Sequence, residues 1–571
     1  MLLKYLLILL VGWGIVVDSF SAQPGKPVGN KKFNAGNNNL NVNQKNTVPP
    51  PSSPSPVQTN TTEPIYTGAN PYESPNVTIP QTKIDELVIK KLKEKGIETS
   101  PICSDPVFLR RVYLDLTGNI PMAYEAREFI LDKSPNKRAR LIDKLLETDD
   151  YVDYFTMKWC DILRVKAEFP INLWPNAVQA YHRWIHDCIK ANMPYDEFVR
   201  QMLVSNGSNF RVPQVNFYRA VQSKTPEGIA QCVALTFMGI RPEKLTKEQL
   251  QGMAAFFSKI GYKSTTEWKE EIVFFDPFNI STQSVASASY KPVFPDGTPA
   301  KIPPDTDPRI VFANWLINPK NPWFTKAIVN RLWYWVYGRG IIHEPDDIRP
   351  DNPPSNPELL AYLEQEFIAH KYDMKYLIKL ICNSRTYQLS SIPASKNPDA
   401  VKYFACYPIR RLEAEVLIDT INKITTTTEK YRSEIPEPYT FIPDDIRAVC
   451  LADGSVTSPF LELFGRPPRD TGLESERNNK FTASQRLHLL NSSHILRKID
   501  QSKMIQYQLQ GNKPTREIIS NLYLGILSRF PTEKEIRTAE DYFKTSGLKT
   551  RDCAVDLVWS LINSAEFLFR H

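Results

Sequence analysis

Residues 464–477 read FGRPPRDTGLESER and crowd Arg466, Arg469, Asp470, Glu474, Glu476 and Arg477 into one short stretch that Pro467 and Pro468 stiffen. Arginine forks of this kind bind carboxylates, sulfates or phosphates in a bidentate manner. The stretch therefore suits either an ion-pair lattice that stitches loops to helices or a pocket for an acidic sugar. In the second case Glu474 and Glu476 would be the general acid and base. Residues two apart face opposite ways on a strand and about 200° apart on a helix, so only a loop could bring those two glutamates together. A lattice is the expected outcome.

A second cluster, His343, Asp346, Asp347 and Arg349, is held out of helix by Pro345 and Pro350. Mixed histidine and carboxylate side chains can bind a divalent cation. No calcium-loop spacing is present, and Arg331, Arg339 and Arg349 offer salt bridges instead, so no metal is assigned. The two charged loops are expected to meet, the arginines of one pairing with the carboxylates of the other. His182 and His186 share a helical face, but the residue after the first histidine is Arg183, where a zinc protease motif needs glutamate. Trp159, Trp184, Trp315, Trp323, Trp333, Trp335 and Tyr337 could stack on sugar faces, although aromatic residues at helical spacing belong first to a core. No Gly-rich phosphate loop and no G-x-S-x-G motif occurs.

The elements that must position these groups read as helices. In residues 83–95, Ile84, Leu87, Val88 and Leu92 make one face, Thr82 with Asp85 opens it and Gly96 ends it. Asp105 and Pro106 open a second helix, Gly118 stops it, and Asp149 or Asp150 caps a third. Residues 266–307 change character, with β-type runs and Asp-Gly and Pro turn signals. The chain is expected to be mainly α. Two multi-helix domains (81–265 and 308–571) are joined by a small strand-bearing connector (266–307).

Residues 1–22 carry Lys4, an apolar run and then small residues, a pattern that suits a secretory signal better than a membrane span. Residues 23–80, rich in Pro, Asn and Ser, cannot bury enough surface to offset their ordering entropy and are expected to be a disordered tether. A membrane partner follows only if the N-terminal segment is retained as an anchor. The net charge of +7 comes from 70 basic and 63 acidic residues without a basic stripe, which argues against nucleic acid. The eight cysteines lie at 103, 160, 188, 232, 382, 406, 450 and 553, too far apart for any C-x-x-C pattern.

Three stretches carry a resemblance: residues 108–121 (FLRRVYLDLTGNIP), residues 321–360 with NPPSNPELL, and residues 464–477. They resemble the paired domains of unknown function in large secreted proteins of planctomycetes, often described as cytochrome c-like. The likeness runs over about residues 82–571. It implies a haem-type C-x-x-C-H after a Phe-Met-Gly turn. Here Thr236-Phe237-Met238-Gly239-Ile240-Arg241 runs straight into Pro242-Glu243-Lys244, with neither the thiol pair nor the axial histidine. The family's C-E-C-E-R has become Leu473-Glu474-Ser475-Glu476-Arg477, so the thiols are gone while the carboxylates and arginine stay. No cofactor is expected. The chain is expected to be an exported, haem-less binding or scaffold component at the cell envelope, its partner a polysaccharide or another envelope protein. The rivals are an enzyme on acidic or sulfated polysaccharides and a redox partner.

Overall fold

Helix starts follow from local chemistry. Thr82 accepts the Asp85 amide on its hydroxyl and the Asp85 carboxylate accepts the Thr82 amide at 3.0 Å, so a capping box opens the helix Lys83–Lys95. Gly96, left-handed at φ 65°, closes it. The next helix, Asp105–Thr117, is capped by Ser104 and not by Asp105, and Thr148 caps Asp149–Ile162 in place of the aspartates after it. In each case a hydroxyl one residue upstream takes the cap. The acids then sit in the first turn, where the helix dipole favours them.

The structure is a computed structural model and describes residues 70–74, 80–279, 291–511 and 513–571. The signal segment and most of the expected tether lie outside the described residues. Residues 70–74, inside that expected tether, are docked: Ser104 donates its amide to Tyr72 O at 3.0 Å and its hydroxyl to Pro71 O at 2.6 Å.

Among the described residues there are 22 α-helices and five short strands, so the protein is mainly α. Both helical stretches share one compact unit and one continuous core. Within it Trp159 of the helix Asp149–Ile162 lies edge-on to Trp335 of the helix Phe324–Tyr337, at 5.5 Å between centroids. Trp333 stacks on Tyr337 at 5.4 Å, and all four rings are buried, as core and not as a sugar platform. Trp184 stacks on Phe198 at 5.0 Å.

The strand-bearing stretch begins earlier than its apolar runs suggest. Strand β1 (Gly207–Ser208), β2 (Ile260–Ser264) and β3 (Glu271–Phe275) form an antiparallel sheet of order β1-β3-β2, with Tyr262 opposite Val273. The sheet therefore draws two of its three strands from within residues 81–265. Of the later ASYKPVFPDGTP run, the described residues 291–299 form a bridge between Val293 and Pro299 around Asp296-Gly297. Strand β4 (Arg410–Arg411) pairs with β5 (Phe569–Arg570) at the far end of the chain.

The motif helix Asp105–Thr117 is buried on nearly every side, arginines included. Arg110 donates to Ile526 O at 2.8 Å and Phe567 O at 3.0 Å. Arg111 donates to Tyr387 O, Leu389 O and His571 O and lies 3.9 Å from the Tyr407 ring centroid. These arginines tie backbone carbonyls together across the fold. No described helix is long and apolar enough to cross a membrane.

Candidate functional site: a buried arginine–carboxylate lattice

The loop 464–478 folds inward because its arginines find carboxylates on helices. Arg469 Nε lies 2.8 Å from Asp161 Oδ1, and Arg477 Nη2 lies 2.6 Å from Asp161 Oδ2. Arg477 also grips Glu415 with both amino groups, at 2.6 and 3.0 Å. Arg466 approaches the same Glu415 at 3.4 Å and donates to the carbonyls of Val456 and Asp453. Asp161 ends the helix Asp149–Ile162 and Glu415 begins the helix Ala414–Thr425. Arg469 is 0% exposed. Burial works against the charged form of Asp161, but Arg477 and Arg469 outweigh it and hold the carboxyl below its usual range.

A second knot lies next to it. Glu413 is ion-paired with Arg570 at 2.6 Å and accepts its Nη1 at 3.0 Å, faces Lys158 at 3.5 Å and accepts the Tyr154 hydroxyl at 3.1 Å. Asp115 takes Arg410 at 2.7 Å and the hydroxyls of Tyr387 and Tyr407, each at 2.8 Å. Against burial, Arg570, Lys158, Arg477 and Arg410 hold Glu413 well below the ordinary glutamate value.

The two charged loops do touch, but not by the expected pairing. Asp346 Oδ2 accepts the Glu474 amide at 2.6 Å, while Asp346 Oδ1 pairs with Arg331 of the helix Phe324–Tyr337 at 2.8 Å. The arginines of loop 464–478 pair instead with Asp161 and Glu415 on the helices packed against them. Glu474 accepts the Trp335 indole N–H at 3.0 Å, and burial raises its pKa although Lys158 counters it. Glu476 turns away to accept the amides of Asp470 at 2.9 Å and Thr471 at 3.4 Å, so the two glutamates do not converge. Asp470 sits at the rim, 2.6 Å from Lys166.

His343, Asp347 and Arg349 stay outside the lattice. His343 stacks beside Tyr334 at 6.4 Å, and burial together with Arg339 lowers its pKa. Arg349 lies 3.0 Å from Asp347 and 2.6 Å from Asp351. The loop is seated on the Phe-Met-Gly turn: Ile348 donates its amide to Gly239 O at 2.9 Å. A Cβ on Gly239 would come within 2.8 Å of the Ile348 side chain, and φ there is 63°. His182 is pushed down to about 3 by burial, with Arg469 beside it, and His186 lies 3.6 Å from Asp153. Among the described residues no group of three or more His, Cys, Asp and Glu side chains converges as a metal site would require.

Asp115, Lys158, Asp161, Glu413, Glu415 and Arg570 complete the lattice and were not singled out from the sequence. The signal for them was present: a charge inside an otherwise apolar helix, as in FLRRVYLDL, MKWCDIL and RRLEAEVLI, costs too much to bury without a partner.

Residues 83–258 match the model of a protein family of unknown function, DUF1549 or PSCyt2, and residues 308–543 match a second, DUF1553 or PSD1. The chain belongs to this paired-domain family. No curated protein and no solved structure matches it. The lattice of this paired-domain protein joins the two matches: Asp115, Lys158 and Asp161 lie in the first, and Glu413, Glu415, Arg469 and Arg477 in the second. A covalently held haem, which the family resemblance implies, does not suit the residues after the Phe-Met-Gly turn, where 242–252 hold neither a cysteine nor a histidine. Cys232, the cysteine before the Phe-Met-Gly turn, is buried with Arg164 Nη2 2.7 Å from its sulfur, and burial pushes the thiol up. Thr236 of the same turn is committed to Arg331 and Arg164.

Proposed function

We propose that this paired-domain protein is an exported, haem-less binding or scaffold component at the cell envelope. The observation that supports this reading is the inward pairing of the lattice: Arg466, Arg469 and Arg477 direct donors to Asp161, Glu415 and backbone carbonyls within the protein, and the two nitrogens without a hydrogen-bond partner, Arg466 Nε and Arg469 Nη2, are themselves buried away from solvent. Buried, mutually paired groups hold a surface in shape and present no open fork to a substrate anion. Glu474 and Glu476, the acid/base pair of the rival enzyme reading, serve an indole and two amides. The partner in this reading is a polysaccharide or another envelope protein, met by a surface that the lattice keeps rigid.

The test combines location with turnover. Fractionation of the producing cells should recover the chain outside the cytoplasm, and recovery within the cytoplasm would refute export. The purified chain should release no reducing ends from carboxylated or sulfated polysaccharides. Release that Glu474→Gln abolishes, in a variant with an unchanged circular-dichroism spectrum, would establish the enzyme reading instead.

A further inference from the structure

One cavity of about 410 Å³ opens where the two matched domains adjoin. That volume lies in the range of small-molecule sites, which favour domain junctions. One wall comes from the turn and first helical residues after Ile120, and the opposite wall from residues 504–525.

Three features of the cavity bear on what it could hold, although Arg127 and Lys423 among its cations also bond to Asn521 and to Asn119 and Ile120. Tyr124 and Tyr507 stand at its mouth, 61% and 64% exposed, with Met122 beside them at 47%. Large apolar side chains gathered at one concavity are a mark of binding, whereas single ones scattered over a surface are not. Gly525 faces the cavity from the interior of the helix Thr515–Leu527. Glycine there weakens a helix relative to alanine. Nothing compels it: a Cβ would meet only Ala123 and Met504, both at 3.9 Å, and its φ is an ordinary one. The missing side chain keeps the space open. Finally, the lining contains three cations, Arg127, Lys423 and Lys513, and no carboxylate. Lys513 lies 4.8 Å from the Tyr507 ring centroid with one long contact of 3.4 Å to Gln508. Lys423 is anchored by Ile120 O at 2.5 Å.

We propose that this cavity binds an amphipathic anion, a small molecule with a flat or aliphatic apolar body and a carboxylate or sulfate-type head. The body lies between the tyrosines and Met504, and the head faces Lys513 and Lys423. The site is independent of the lattice and of the envelope reading above.

The probe is 8-anilinonaphthalene-1-sulfonate, with uncharged N-phenyl-1-naphthylamine as its control, titrated by fluorescence into the full folded chain. One saturable site per chain is expected. Gly525→Leu fills the space and should abolish binding, while Gly525→Ala should leave it. Lys513→Gln should weaken the sulfonate ~3–5-fold, the effect of one partly exposed charge, and leave the neutral probe unchanged. Circular dichroism and melting curves verify the fold of each variant, and if Gly525→Leu does not fold, the Lys513→Gln comparison decides. The proposal is overturned by the absence of a saturable site, by sulfonate binding that survives in folded Gly525→Leu, or by equal affinity for both probes with no effect of Lys513→Gln.

Discussion

Arg469→Ala is the sharpest test of the lattice. The guanidinium is 0% exposed, lies 2.8 Å from Asp161 Oδ1 and donates to Ala452 O at 2.7 Å. Its removal takes one charged partner from Asp161, leaves Ala452 O without its donor and opens a void where the side chain packed against Gly454. Removing one side of a buried pair costs ~3–5 kcal/mol. Arg477 still holds Asp161 Oδ2 at 2.6 Å, so the carboxylate keeps half its compensation and the lower end, about 3 kcal/mol, is expected. Arg349→Ala is the control: that side chain is 33% exposed between Asp347 and Asp351, where pairs contribute ~0–1 kcal/mol. Urea unfolding followed by near-ultraviolet circular dichroism, at low and high salt, separates them. The Arg349 effect should fade in salt and the Arg469 effect should persist. A loss for Arg469→Ala below ~1 kcal/mol, or one that salt removes, would refute the reasoning.

The pH dependence should show two limbs of opposite sign. Glu413 is held well below its ordinary value, so its contribution is present above ~pH 4.3 and is lost as pH falls; Glu413→Gln should be less stable at neutral pH with a flatter acid limb in pH-resolved urea melts. Asp419 is pushed up to about 6 by burial, against Arg447 and the Ala448 and Val449 amides. Its folded form holds the proton longer than the unfolded chain does, so stability should fall by about 2–3 kcal/mol from ~pH 4 to 6, a slope absent in Asp419→Asn. Gly118→Ala, whose Cβ would come within 2.5 Å of the Tyr154 ring at φ 56°, should cost clearly more in a melting experiment than Gly96→Ala. At Gly96 nothing lies within 4 Å, so only the left-handed backbone is charged, ~1–2 kcal/mol. Coexpressed with a c-type haem maturation system, the chain should show no haem stain on a denaturing gel; a stoichiometric band would overturn the haem-less reading.

The mainly α class and the glycine stops were legible because capping is local: Thr82 with Asp85, Gly96 and Gly118 act within a few residues of themselves. Ser104 and Thr148 were missed because the conspicuous acids beside them also favour a helix start. The short pair β4–β5 spans only two residues per strand, too few for any alternation to show. Within the lattice, Arg466, Arg469 and Arg477 stood out as a dense loop. Their partners Asp161 and Glu415 are single charges inside apolar helical runs, a pattern that calls for a partner but does not say which one. Asp161 lies more than 300 residues from Arg469 in sequence, and no local pattern encodes that distance.

The carbonyl contacts of Arg110 and Arg111 also impose an order in time. Their acceptors lie up to 460 residues downstream, at Ile526, Phe567 and His571. Arg111 gains its first acceptors, Tyr387 O and Leu389 O, only from the second match, so while the first match stands alone these guanidinium groups lack every one of these carbonyls and the helix that carries them must stay in water. Residues 83–258 made alone should then populate a loose, protease-sensitive state. The burial of this helix therefore depends on segments that lie far downstream of it, in and beyond the second match.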